Sequence, residues 1–191
     1  QGLGDEILSL SILKDVLEKA PHCSIECDHR LLEIVARSFP TVTPIGRQDP
    51  PASETDRADY TLPVWSAARL FRRSWDQFPQ HSGYLKADDA GVSAIRKRYE
   101  EKAKGRKLVG LSRSSDSRGG RLKTPPLEYW RAILEDPENF FVGLQYAPQQ
   151  QDIDILSQLS EAGFYMDPTI DTQNDLESAA AQIGALDAVV S

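Results

Sequence analysis

The first residues of the chain place a carboxylate beside two glycines. The run from Gln1 to Glu6 contains Gly2, Gly4 and Asp5, and it predicts a tight glycine turn that leads into a helix. A helix N-terminus favours an ionised carboxylate, so Asp5 could accept a proton from an acceptor hydroxyl within hydrogen-bonding reach. From the local sequence alone, a simple helix cap is the stronger interpretation of Asp5.

A second candidate site follows a buried-type strand at Leu108–Ser112. The loop from Arg113 to Lys123 is rich in Ser, Arg and Gly and meets the start of the next helix at Pro125 and Pro126. Loop cations and a helix dipole together can hold a diphosphate, although a solvated loop explains the same residues equally well. Gln145 and Tyr146 end the next strand, so they could hold a nucleotide base or ribose, or simply form a turn.

The two cysteines, Cys23 and Cys27, lie in one predicted strand. Four residues of strand span about 13 Å, which is too far for a disulfide. We therefore expect two reduced thiols that face the same way. His22, His29 and His81 show no metal-ligand spacing, so the sequence predicts no metal site.

Charge is distributed unevenly along the chain. The net charge is −7, yet residues 96–123 carry 11 of the 22 basic side chains. This pattern suits a small anion better than nucleic acid, and for residues 96–104 a solvated helix face is the simpler explanation. No apolar run is long enough to span a bilayer, so we expect no stable membrane insertion and a cytoplasmic location.

Helices and strands must position these residues, and their patterns alternate along the chain. The alternation predicts an α/β fold with parallel sheets covered by helices on both faces, and ligands at the carboxyl ends of the strands. A long charged helix at 87–104 ends at Gly105 and is expected to join two sheets. A further strand is expected at 60–64, before a short helix at 65–73. Asp171 and Asp175 are expected to cap the last helix.

Three tryptophans, Trp65, Trp75 and Trp130, are expected to lie in the core or between two lobes.

Several segments resemble a known family. The runs QGLGDEILSLSILKDVL and IECDHRLLEIVARSFP, followed by LVGLSRSS, LKTPPLEYW and FFVGLQY, are similar to the heptosyltransferase-like bacterial glycosyltransferases associated with tetratricopeptide repeats. The resemblance implies two Rossmann-like lobes of the GT-B type: an acceptor lobe at 1–105 without its first strand, and an incomplete donor lobe at 106–191. The chain would then be truncated at both ends.

The resemblance also implies a function and residue roles. Sugar would pass from a nucleotide sugar to an acceptor hydroxyl with inversion and without metal or cofactor, the acceptor being a glycan, a lipid-linked sugar or a protein. Asp5 would be the base in the Gly2–Gly4 turn, and Lys123 would contact the donor phosphate. Ser112, Arg113, Thr124, Gln145 and Tyr146 would complete the donor site. The alternative is a non-catalytic nucleotide-sugar-binding or scaffold module of the same fold, which Arg113 favours because many relatives have Trp there.

Overall fold

The protein is described by a computed structural model. It covers residues 2–53, 55, 58–80, 83–113, 124–145, 150–160 and 163–191. The chain divides into two compact units, Gln1–Lys86 and Ala87–Ser191. The long charged helix belongs to the second unit because it buries Ile95, Tyr99 and Ala103 in the core of that unit. The sequence pattern predicts a division after Gly105, at the C-terminal end of this helix, instead.

The first unit contains a two-stranded parallel sheet. Strands β1 (Cys23–Cys27) and β2 (Val42–Gly46) pair in register from Cys23 opposite Val42 to Cys27 opposite Gly46. Leu10, Leu31 and Val35 are fully or almost fully buried in its core. Its helices are α1 (Leu3–Ser9), α2 (Leu13–Lys19), α3 (Leu32–Ser38) and α4 (Val64–Phe71), with short 3-10 helices at Leu10–Ile12, His29–Leu31 and Trp75–Gln77.

The segment before α4 corrects one expectation. No strand forms at residues 58–63, all of which are described, and α4 begins directly at Val64 after Pro63. Proline has no backbone N–H and is confined to strand edges, whereas its fixed φ suits the start of a helix. Pro63 therefore favours the helix start over the predicted strand.

The second unit is a four-stranded parallel sheet in the order β5-β4-β3-β6. Its strands are β3 (Lys107–Leu111), β4 (Asn139–Gly143), β5 (Phe164–Tyr165) and β6 (Ala188–Val190), and its helices are α5 (Asp89–Ala103), α6 (Arg131–Leu134), α7 (Gln150–Leu159) and α8 (Leu176–Gly184). A 3-10 helix at Leu127–Trp130 precedes α6.

Both faces of this second sheet are covered. Leu108 packs with α5 and α8 on one face, while its neighbour Val109 packs with Trp130 and Leu156 on the other. A strand buried on both faces reads as a continuous apolar run, which is why β3 could be recognised in the sequence. The predicted α/β class with parallel sheets is confirmed. Within the described residues, no helix has the length and apolar character that crossing a bilayer requires.

Candidate functional site

The carboxyl ends of β1 and β2 are tied together by Glu6. One carboxylate oxygen, Oε2, accepts a hydrogen bond from the backbone N–H of Asp28 at 2.9 Å, and Oε1 lies 2.6 Å from Nη1 of Arg47. Arg47 also reaches Glu26 at 3.3 Å. Because the Glu6 side chain is only 11% exposed, this carboxylate joins α1 to both strand ends and serves the structure of the unit.

Asp5, next to Glu6, is exposed in the first turn of α1. Its Oδ2 accepts a long 3.4 Å hydrogen bond from the backbone N–H of Gly2, so the structure shows it in a capping position. The helix begins at Leu3, and Gly4 is therefore helical, which makes the predicted glycine turn wrong. A Cβ added at Gly2 or Gly4 would meet nothing within 4 Å, so neither position requires glycine for space.

The cysteines are both free, as predicted, and the burial pattern of β1 puts them on one side of the strand. Burial raises the pKa of Cys27 to about 11, with a further contribution from the negative charge of Glu6. Burial also raises the pKa of Cys23. A thiol with so high a pKa stays protonated near neutral pH, so Cys27 is not an activated nucleophile.

The carboxyl edge of the second sheet brings together three of the predicted binding residues. Ser112 donates its backbone N–H to the Val190 carbonyl at 3.0 Å, and Arg113 donates its own to Oε1 of Gln145 at 3.1 Å. The Arg113 guanidinium pairs with Asp152 on α7. The cavity here measures about 10 Å³, which is room for roughly one water.

Of the other residues predicted to bind at the carboxyl edge of the second sheet, the structure describes only Thr124. Thr124 is half-buried where the described chain resumes. Lys123, Tyr146 and the loop 114–122 lie outside the described residues. Among the residues that are described, no group of three or more His, Cys, Asp or Glu side chains could hold a metal ion.

A different feature of the first unit stands out. Residues 60–78, here called the aromatic segment, expose large apolar side chains along their whole length. Tyr60 is 92% exposed and Trp75 is 89% exposed. A Tyr or Trp ring carries 150–250 Å² of surface, and soluble proteins rarely leave several such groups uncovered without a partner. The exposed side chains are Tyr60, Leu62, Trp65, Leu70, Trp75 and Phe78.

The C-terminal part of the aromatic segment is fixed to the core of the first unit through Arg72. The Arg72 side chain is 7% exposed and pairs with Asp15 of α2, with Nη2 to Oδ2 at 2.6 Å. The same Nη2 donates to the Ser11 carbonyl at 2.6 Å. The Phe78 ring lies 5.4 Å from the Arg72 guanidinium, and Trp75 packs on Phe78. The rings of Phe78 and Trp75 are therefore held in position.

Sequence reasoning missed this segment. Trp130 is buried, as expected for a core residue, whereas Trp65 and Trp75 are exposed and do not lie in the core of the first unit. Helix α4 buries Ala67, and Trp65 lies on its exposed side. The sequence did contain a signal of this exposure, namely the composition of the segment. Aromatic residues are interspersed there with arginine and proline, and they lack the regular spacing of a buried helix face.

Comparisons with known proteins add one relative. The chain is 26% identical over 205 residues to Protein FlbA of Caulobacter vibrioides (strain ATCC 19089 / CIP 103742 / CB 15), a match that covers 100% of this chain and 34% of FlbA. The chain thus spans about a third of that relative's length. No family model matches the chain. No solved structure matches it either.

This relative corrects the functional expectation. FlbA does not carry the name of a glycosyltransferase, and nothing in the comparisons points to nucleotide-sugar transfer. The predicted heptosyltransferase-like identity and sugar-transfer activity are therefore wrong. The nucleotide-sugar-binding alternative depends on the same resemblance and is wrong for the same reason. A glycine-containing helix start and strand–helix alternation recur in proteins of unrelated function, which is why the resemblance misled.

Proposed function

We propose that this chain is a non-enzymatic docking module that binds a segment of a partner protein through its aromatic segment, residues 60–78. The observation that carries the proposal is Trp75, which is 89% exposed although its ring is packed on Phe78. An aromatic ring that is both positioned and uncovered can bury a large area on binding.

A ring that is already held in position binds a partner at a lower cost in conformational entropy. Association normally costs free energy for ordering the side chains at the interface, about 0.5–1.5 kcal/mol for each immobilised group. The contacts from Trp75 through Phe78 and Arg72 to Asp15 restrict the ring before a partner arrives. Trp and Arg are also the residue types that dominate measured binding hot spots.

The charges of the segment define the partner's chemistry. Arg69 and Arg73 are exposed beside the apolar side chains, with Asp76 as the nearby acid, while Arg72 is already paired. A partner segment with acidic and apolar side chains would complement this surface, since opposite charges across an interface speed association and select the correct partner.

For the second unit we propose a fold rather than a part in docking. In chain order its strands are arranged third, second, first, fourth, which is the order of the first four strands across a six-stranded Rossmann sheet. We propose a Rossmann-like fold for this unit on that basis. We also retain a cytoplasmic location as a proposal, supported by the two free cysteines.

A peptide-display selection tests the docking function. The 191-residue chain serves as bait, and peptides that also bind the double variant Trp75→Ala/Phe78→Ala are removed. We expect enrichment of peptides that combine acidic and apolar residues. Enrichment of no peptide, or only of peptides that bind the double variant equally well, would exclude the aromatic segment as the docking site.

A further inference from the structure

Helix α4 (Val64–Phe71), within the aromatic segment, has one covered side and one uncovered side. Ala67 is 3% exposed, and the helix contacts the 3-10 helix Leu10–Ile12 and α2. Trp65 and Leu70, by contrast, are 41% and 58% exposed. Large apolar side chains on the outer side of a surface helix mark a place where a further element can pack.

The exposed residues of α4 form two neighbouring rows. Trp65 and Arg69 lie one helical turn apart, and Ser66 and Leu70 form the adjacent row with the same spacing. Because the Ser66 side chain is small, it leaves space beside the larger side chains of both rows. Rows with this i, i+4 spacing are the ridges between which the side chains of a second helix pack.

The side of a helix offers no backbone hydrogen bonds to a partner. The N–H and C=O groups of α4 bond to one another, and the N–H of Arg72 continues this pattern by bonding to the Ala68 carbonyl at 2.8 Å. An extended segment laid on α4 would therefore find no strand edge with which to pair its own backbone groups. A helical segment satisfies those groups internally.

Two positive charges accompany these rows. Arg69 and Arg73 are exposed, and neither forms an ion pair within the described residues. The Arg73 side chain turns back along α4, with Nε 3.3 Å from the Arg69 carbonyl, and this contact with a neutral group leaves its charge uncancelled. The acid that is nearby in sequence, Asp76, accepts a hydrogen bond from the Ser74 side chain. Like charges one turn apart repel each other, so carboxylates on a partner would stabilise this surface.

We infer that the partner segment is an amphipathic helix that packs on the outer side of α4. Its apolar side chains contact Trp65 and Leu70, and its acidic side chains lie opposite Arg69 and Arg73. The inference rests on the docking function proposed above and adds the conformation and charge pattern of the segment. Apolar residues of such a helix recur at i, i+3, i+4 and i+7, and its acids flank that stripe one turn apart.

Selection from two patterned peptide libraries tests the conformation. Both contain peptides of about 16 residues and matched composition, built from Leu, Phe, Glu and Gln. One library follows helical spacing, and the other alternates apolar and polar residues as a strand does. The 191-residue chain is the bait, and peptides that also bind Trp75→Ala/Phe78→Ala are removed. We expect enrichment from the helical library alone, and we expect the enriched peptides to bind Trp65→Ala/Leu70→Ala at least about tenfold more weakly.

Calorimetry on the most strongly enriched peptide compares alanine and proline at one central position that faces away from the apolar stripe. Proline should weaken binding at least about thirtyfold because it breaks a helix interior, whereas alanine should change it by less than about twofold. In an extended peptide the two substitutions would differ far less.

A matched pair of charge variants tests the acidic pattern at low ionic strength. Arg69→Gln/Arg73→Gln should weaken binding of the enriched peptide at least about fivefold, because two cations opposite its acids are lost. Lys97→Gln/Lys104→Gln removes the same charge from exposed positions of the second unit and should change binding by less than about twofold.

The outcomes distinguish this inference from the docking function itself. Enriched peptides that alternate apolar and polar residues, or that tolerate central proline or Trp65→Ala/Leu70→Ala, would leave the docking function in place and overturn the helical partner. Equal effects of the two charge pairs would overturn the acidic pattern. Enrichment from neither library would overturn both the inference and the docking function. Circular dichroism confirms that each variant is folded.

Discussion

The indole ring of Trp75 lies 5.7 Å, centroid to centroid, from the ring of Phe78, with the two planes tilted by 35°. Phe78 in turn lies over the guanidinium of Arg72, which pairs with Asp15 on α2. An exposed ring is thereby linked to the interior of the first unit through a buried cation. Arg72 consequently contributes both to the stability of this unit and to the position of the proposed docking residues.

The first prediction concerns Arg72. Arg72→Ala should lower the free energy of unfolding of the first unit by about 2–4 kcal/mol, because it leaves the Asp15 carboxylate without its buried partner. Urea denaturation followed by circular dichroism measures this loss. Arg73→Ala removes an exposed neighbour of equal charge and should cost about 0.5 kcal/mol or less. Equal effects of both substitutions would show that the Arg72 contacts are not stabilising.

The second prediction compares two adjacent acids. Glu6→Ala should destabilise the first unit by about 1–3 kcal/mol, because the Asp28 N–H and the Arg47 guanidinium lose their acceptor. Asp5→Ala removes only an exposed 3.4 Å contact and should cost about 0.5 kcal/mol or less. Thermal unfolding of the two variants measures the difference. A larger loss for Asp5→Ala would contradict the structural role given to Glu6.

Local sequence patterns predicted much of the fold. Strands β3 and β4 were recognisable because burial on both faces requires continuous apolar runs. Asp175 was expected to cap the last helix, and its Oδ1 does accept the backbone N–H of Ser178 at 2.9 Å. Such features depend on neighbours close in sequence. The structural role of Glu6 was not predictable, because Arg47 lies 41 residues away.

The third prediction concerns pH. The Asp167 carboxylate has a 0% exposed side chain; burial alone would raise its pKa, but hydrogen bonds from Thr169 and Tyr99 and the charge of Arg98 lower it overall. A lowered folded-state pKa stabilises the fold above the unfolded value of about 3.9, and this stabilisation is lost as the pH falls through the folded value.

Asp167→Asn should therefore destabilise the second unit at pH 7 by about 1–3 kcal/mol, and the difference from wild type should shrink as the pH falls below about 4. Urea denaturation at pH 7 and pH 3 measures both differences. Asp89→Asn, at an exposed site in the same unit, should show a small difference at either pH. A difference for Asp167→Asn that is the same at both pH values would refute the assignment.

The candidate site was harder to predict than the fold. Residue type identifies Trp65 and Trp75 as apolar, but it does not say whether the folded chain provides a surface to cover them. Trp130 is covered because it packs with Leu134 and Phe141 between helix and sheet. The aromatic segment itself contains α4 and a short 3-10 helix, and of these two helices' residues only Ala67 is buried, so only the three-dimensional arrangement shows that its rings remain exposed.

The central claim is that Trp75 anchors a partner segment. Its most direct test is the dissociation constant of the best selected acidic–apolar peptide, measured by isothermal titration calorimetry with wild type, Trp75→Ala and Tyr129→Ala. Tyr129, 73% exposed in the second unit, is the matched aromatic control. We expect Trp75→Ala to weaken binding by at least about thirtyfold, as for a hot-spot residue, and Tyr129→Ala to change it by less than about twofold. Unchanged affinity in Trp75→Ala, or an equal loss in Tyr129→Ala, would contradict the account.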